Sequence, residues 1–415
     1  MQIIKYEELR DDFFLVKNAE DLDTFKKIIK EVKTNGDWAV KKYTKKFDNL
    51  DLDSFEISKK QIQDAYKKTD TKTIRALKKA ISNIKFFAKK QMSNFKEFEI
   101  KTNGVVLGQK IIPIQTVGCY VPGGRFPLAS SALMSIIPAK TAGVENIIVC
   151  SPKIKDVVIV ASDMAGADRI FNIGGIQAIA ALAFGTKNIP KANKIIGPGN
   201  KYVAAAKKEV YGTVGIDFIA SASEILIIAD ESTNPKFIAA DLLAQAEHDV
   251  DAKANLITDS LKIAKAVNIE LNCQIKKLKT KSIIRESLKN SKIILVENLD
   301  DAVEIANKYA PEHLELQIKN PDKIINKLKN YGGLFIGKYS AEVFGDYCVG
   351  PNHILPTNKA AKYTGGLSVG DFLKIQTYQK IDKCSDDLIK IATSLAEIEG
   401  LDGHKNAALI RLKGQ

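Results

Sequence analysis

The chain has 415 residues and a mass of 45.6 kDa, more than one hydrophobic core usually organises, so two or three domains are expected. With 45% hydrophobic and 27% charged residues, the composition excludes wholesale disorder, and no run approaches the roughly 20 apolar residues of a membrane span. The net charge is +13, from 62 Lys and Arg against 49 Asp and Glu.

Only six of those 62 basic residues are arginine, the side chain that reads phosphate and guanine bidentately. Lysines interleaved with acids, as in DTFKKIIKEVK, read as solvated helix faces, so no nucleic-acid partner is expected. The opening MQIIKYEELRDDFF has charges in its first ten residues and no apolar h-region, which points to a cytoplasmic protein. Five scattered cysteines without a C-x-x-C pair fit reduced thiols better than a disulfide framework.

Residues 1–15 read as an N-terminal arm. The segments DLDTFKKIIKEVKTNG, SKKQIQDAYKKTD and TKTIRALKKAISNIKFFAKKQM follow with apolar residues three and four apart, the helical period. From residue 104 the texture alternates. A strand region covers 111–121, then come a helix at 130–143, strand NIIVCSP, helix DVVIVASDMAGA, strand RIFNIG, helix GIQAIAALAFG, strand KIIGPGN and helix KYVAAAKKEVYG. Short apolar runs alternating with small-residue helices make a parallel sheet covered on both faces.

After ASEILIIAD the rhythm resumes: helix PKFIAADLLAQAEHD, strand ANLITD, a helix from Leu261, strand KIILVEN, helix DAVEIANKYA and strand GGLFIG. A loop-rich passage at 340–370 follows. The chain closes with two expected helices, SVGDFLKIQTYQKI and DDLIKIATSLAEIEG, and then DGHKNAALIRLKGQ. The fold class is α/β. We expect two related, doubly wound, incomplete Rossmann-like domains, with a helical N-terminal region and an extended helical C-terminal tail.

All four histidines lie beside other ligands or acids. Gln245 and His248 are three apart on a helix and can face one centre, although a capping or core histidine is the simpler reading. Glu312 and His313 follow Pro311 at a helix end and offer two adjacent proton acceptors. Asp346 and His353 share the loop GDYCVGPNH, whose composition places side chains rather than builds a core. Glu399 and His404 lie in the tail. The turns YVPGG and GPGN each lie between a strand and a helix and could offer backbone N–H groups to a phosphate, as could any tight turn there. Cys119 and Cys150 raise an aldehyde-dehydrogenase thiol chemistry, but neither has a basic activator nearby in sequence.

Taken together, VGCYVPGG, LMSIIPAKTAGV, GGIQAIAALAFGT, GPGNKYV, LLAQAEHD, APEHLEL, GDYCVGPNHILPT, GGLSVGDFL and EGLDGHKNAALIR resemble histidinol dehydrogenases in order and spacing, from about residue 20 to the C-terminus. The resemblance implies two-step, NAD-dependent oxidation of L-histidinol via L-histidinal to L-histidine, the end of histidine biosynthesis. It implies one Zn²⁺ per subunit, held by Gln245, His248, Asp346 and His404. His313 would act as general base and Glu312 would activate water. Ser223, Gln245, His248, His313, Asp346, Glu399 and His404 would bind substrate, with Tyr120, Gln177 and Asn200 contacting NAD.

Glu399 and His404 would then come from the tail of a partner subunit in a homodimer with shared active sites. The zinc and catalytic domain would comprise 16–103 plus 224–367, the NAD-side domain 104–223, and the exchanged tail 368–415. Two stretches depart from the family pattern: Ala220-Ser221-Ala222, where a Gly-Pro turn is usual, and Gly123 to Ser130.

Overall fold

The computed structural model describes residues 1–15, 22–123, 126–219, 222–382 and 384–413. Residues 124–125 and 220–221, parts of the two departing stretches, lie outside these. In chain order, β1 (Gln2–Lys5) is followed by three helices, α1 (Leu22–Asp48), α2 (Lys59–Lys68) and α3 (Thr71–Met92). The helical path of α1 breaks at Gly36, φ 52°, where the sequence pattern ends its first helix.

A hairpin, β2 (Phe98–Thr102) and β3 (Val105–Pro113), then turns on Asn103 and Gly104, both at positive φ, as a tight Asn-Gly turn requires. The first alternating block comprises β4 (Thr116–Tyr120), α4 (Ala129–Ala142), β5 (Asn146–Cys150), α5 (Asp156–Ala165), β6 (Arg169–Phe171), α6 (Gly175–Phe184), β7 (Lys194–Ile196), α7 (Lys201–Val210) and β8 (Gly215–Ile216). The second has β9 (Glu224–Ala229), α8 (Pro235–Ala246), β10 (Lys253–Thr258), α9 (Leu261–Gln274), α10 (Lys281–Ser287), β11 (Lys292–Leu295), α11 (Leu299–Tyr309), β12 (His313–Gln317) and β13 (Gly333–Ile336). The chain closes with α12 (Glu342–Tyr347), β14 (Leu373–Ile381), α13 (Asp386–Ile398) and α14 (Asp402–Lys413).

Both blocks form parallel sheets, ordered β6-β5-β4-β7-β8 and β1-β11-β10-β9-β12-β13. Each is doubly wound: the chain moves one way from β4 or β9, then returns to pair on the other side. Apolar runs such as EILIIA are buried throughout, as a strand covered on both faces demands. Among the described residues, no helix is long and apolar enough to cross a membrane.

Three expectations are corrected. The start of the chain is not a free arm, because Gln2–Lys5 pairs in parallel with β11 at the edge of the six-stranded sheet. SVGDFLKIQTYQKI is not a helix: its second half is β14, antiparallel to β3, and Ile375, Thr377 and Tyr378 are residues that fit a pleated surface. The helices of 22–92 pack chiefly on the five-stranded sheet: α1 against α6 and α7, α2 against α5, and α3 against α4. Phe25, Ile28 and Val32 share a core with Phe171 and Ile179.

Candidate active site

The two strands at which the larger sheet reverses, β9 and β12, bring their amino ends together, with His313 in register with Ile225. Ser223 sits just before β9, and Glu312 just before β12. His313 is buried. Its Nδ1 lies 3.0 Å from the carbonyl oxygen of Glu224. A carbonyl only accepts, so Nδ1 carries the proton and Nε2 keeps the lone pair. That Nε2 has no hydrogen-bond partner among the described residues and faces Asp346 Oδ1 at 4.0 Å. Burial holds the imidazole below its ordinary pKa of 6.5, so it is a neutral base at pH 7.

Glu312 Oε2 accepts from Ser223 Oγ at 2.5 Å and from Glu224 N at 3.0 Å. Burial pushes its carboxyl up to about 8, against the lowering effect of these two donors. Gly332 is needed beside it, since a Cβ there would lie 2.5 Å from the Glu312 carbonyl oxygen.

The carboxyl end of α8 and the short α12 deliver the remaining groups. Ligand atoms of His248, Glu342 and Asp346 lie within 4.8 Å of one another. Glu342 was not singled out from the sequence, although its spacing of four from Asp346 places both on one helical face. Gln245 is buried between Ser223 and Glu342. With its carbonyl turned to Glu224 N (3.2 Å) and Ser223 Oγ (2.7 Å), whose one proton goes either to it or to Glu312, its NH₂ donates to Glu342 at 2.6 and 3.1 Å. A half-turn of that amide directs the carbonyl to the Glu342 side instead.

A buried network fixes these elements. Glu315 Oε1 accepts from Glu342 N at 2.8 Å, while Gln317 Nε2 donates to Glu315 (3.0 Å) and to Asp241 (2.8 Å), one turn before Gln245. The donor set of imidazole and carboxylate suits zinc. Burial raises Glu342 well above its usual range, and a divalent cation is the partner that returns such buried acids to the ionised form. His353 is held nearby by Asn352, which donates to Met134 O at 2.7 Å and accepts from Ile354 N at 2.8 Å. Its Nδ1 has no partner among the described residues. Glu399 and His404 are not brought to this cluster within the chain's own buried core; both stand exposed on the tail.

Tyr120, Gln177 and Asn200 lie at the carboxyl ends of the smaller sheet's strands or on the helices that follow them. There β4 and β7 form the reversal point, where α/β sheets bind ligands. Gly175 N donates to the Tyr120 hydroxyl at 3.1 Å. Gln177 is fully buried, with neither amide atom partnered among the described residues. Asn200 is exposed and caps α7, its Oδ1 accepting from Tyr202 N and Val203 N. The amino ends of α6 and α7 open at this reversal point, and helix amino termini are N–H-rich ends of the kind that can accept a phosphate. A cavity of about 510 Å³, walled by α3 and the start of α4, reaches His248, Tyr347 and Cys348.

Residues 16–412 match the sequence profile of the histidinol dehydrogenase family. The chain belongs to that family. A histidinol dehydrogenase from Methanocaldococcus jannaschii is 48% identical over 400 residues, covering 95% of this chain and 93% of that protein. The crystal structure of histidinol dehydrogenase from Elizabethkingia anophelis superposes with a TM-score of 0.93 at 37% identity, over 100% of this chain and 98% of that one. An apo betaine aldehyde dehydrogenase from Staphylococcus aureus has a TM-score of 0.52 at 11% identity, covering 88% of this chain and 84% of that one, which is a likeness of fold. The two strand cysteines do not carry a thiol chemistry with it. Cys119 and Cys150 are fully buried, and burial drives both thiols far above their usual pKa, the inert condition.

Proposed function

We propose that this zinc-containing, NAD-dependent oxidoreductase converts L-histidinol through L-histidinal to L-histidine, the final steps of histidine biosynthesis. The observation that carries the reading is the neutral, buried His313, with Nε2 unpartnered among the described residues and facing Asp346 Oδ1 at 4.0 Å, one of the donors grouped with His248 and Glu342. Gln245, His248, Asp346 and His404 would hold the zinc, with Glu342 behind Gln245. When bound, NAD accepts a hydride in each oxidation, and zinc supplies a Lewis acid that grips the substrate's imidazole and amine.

His313 Nε2 takes the hydroxyl proton of histidinol in the first oxidation. Glu312, in its ionised form, removes a proton from the water that adds to the aldehyde, while protonated His313 returns its proton to the carbonyl oxygen, which gives the gem-diol and restores the base. His313 then takes a hydroxyl proton of the resulting gem-diol in the second oxidation. Ser223 orients the Glu312 carboxylate and lines the substrate site. Tyr120, Gln177 and Asn200 would contact NAD. The catalytic unit would be organised on the larger sheet and the cofactor unit, 104–223, on the smaller.

The tail, 368–415, would complete the site of a second copy. Exposed Ile391, Leu395, Ile398 and Leu401 make its apolar surface, which an unpartnered tail would leave in water. Glu399 and His404 would reach the substrate and the metal of that partner in a homodimer. A biosynthetic role and cysteines without a disulfide among the described residues favour the cytoplasm. The test is NADH formation by the purified protein with L-histidinol and a panel of other amino and hydroxy alcohols, together with metal analysis. Two NADH per histidinol and about one zinc per chain are expected. Turnover of another alcohol but not of histidinol would overturn the substrate.

A further inference from the structure

We infer that Lys207 and Asp217 are positioning residues for the nicotinamide cofactor, their buried ion pair holding the 197–200 turn in the shape that receives it. This rests on the reading that NAD binds at that turn. Lys207 lies on α7 and is 1% exposed. It pairs with Asp217, just beyond β8, and both side chains are almost wholly enclosed. Together they take both backbone polar groups of one residue: Lys207 Nζ donates to the Gly197 carbonyl at 3.0 Å, and Gly197 N donates to Asp217 Oδ2 at 2.8 Å. The other carboxylate oxygen, Oδ1, pairs with the lysine.

A buried ion pair is weak evidence for stability, because well-packed apolar residues serve a core as well without the desolvation cost. What this pair adds is direction. Two linked charges grip one residue from both sides, through two successive peptide groups, at the point where β7 becomes the turn. The turn has no slack against its other neighbours. Gly197 has φ +108°, and a Cβ there would lie 2.1 Å from the Tyr120 carbonyl oxygen. Gly197 therefore has no room to shift toward Tyr120, and a shift in its position passes along three residues to Asn200, the cap of α7. Lys207 is unable to bind a cofactor phosphate itself, being enclosed and committed to Asp217 and Gly197. Its action on the cofactor runs through the backbone.

The test uses the full-length, zinc-loaded enzyme with the double variant K207M/D217L, which replaces both charges by apolar side chains, and with the charge-preserving D217E, which lengthens the carboxylate by one methylene. Both should raise the KM for NAD and the Kd for NADH, the double variant by about tenfold or more, because binding must then order the turn. The kcat at saturating NAD, the KM for histidinol and the zinc content should stay within about twofold, a split that general loss of structure does not produce. N200A serves as the reference for the cofactor reading. If N200A weakens NAD binding while either folded pair variant leaves it unchanged, the positioning role is overturned. If N200A and the pair variants all leave NAD affinity unchanged, the cofactor reading falls as well.

Discussion

His313 Nδ1 and the main-chain oxygen of Glu224 stand 3.0 Å apart, and this one hydrogen bond sets which ring nitrogen can act as a base. The bond comes from the neighbouring strand, so the imidazole is oriented by sheet register rather than by a flexible loop. Removing the base while keeping a polar side chain should cost kcat on the order of 10²–10⁴-fold in His313→Asn. Zinc content should be unchanged, because His313 is not among the proposed ligands. Loss of metal in parallel with activity would reassign His313 to the coordination shell.

Glu312 has a different task. Its carboxyl is held up to about 8 by burial, yet only the ionised form can take a proton from water. Glu312→Gln should therefore lower oxidation of supplied L-histidinal by about 100-fold, with a much smaller effect on the first oxidation of histidinol. Stopped-flow NADH traces with each substrate separate the two. Equal losses would sink the division of labour.

The buried acids also predict how stability depends on pH. Burial raises Glu224 to about 7 and Glu312 and Glu315 to about 8, from an ordinary 4.5. Between 4.5 and about 8 the folded protein thus retains protons that the unfolded chain has released. Stability contributed by these groups is present below that window and is lost as pH rises through it. Below about pH 6.5 the buried His248, His313 and His353, held under their ordinary pKa, act in the opposite sense, so the metal-free enzyme should show a falling Tm from about pH 6.5 to about 8.5, a slope that shrinks in Glu315→Gln and on adding zinc. Thermal melts after chelation check this; a Tm that climbs over the same range would contradict it.

Much of this site could be read in the sequence because its residues fall in short segments with local signals. Gln245 and His248 are one helical turn apart, Glu312 and His313 are adjacent, and the alternating apolar runs gave both doubly wound blocks. What escaped was long-range. HLELQ carries acidic and amide side chains at positions that a buried strand normally fills with hydrophobes, so β12 had no apolar signature. Those same atypical residues, Glu315 and Gln317, form the network that holds α12. The strand β14 was hidden for another reason: it lies at the edge of a mostly exposed three-stranded sheet, and its pairing with β3, more than 250 residues away, leaves no mark in a local window. Lys207 looked like one more surface lysine on α7; only the fold shows that it turns inward.

The exposure of His404 on the tail leads to a test of assembly that needs no structure of the dimer. Suppose His404 acts in the site of a second copy while His248 acts in its own. A heterodimer of His404→Ala and His248→Ala chains then contains one site with both imidazoles and one site with neither. If instead His404 served its own chain, every site in every mixture would lack one imidazole. Each variant alone should be inactive and short of zinc. Unfolding and refolding an equimolar mixture should restore about a quarter of the wild-type activity, since half the dimers are mixed and half of their sites are intact. No recovery from a mixture shown by mass spectrometry to contain heterodimers would place His404 in its own subunit's site or outside the site altogether.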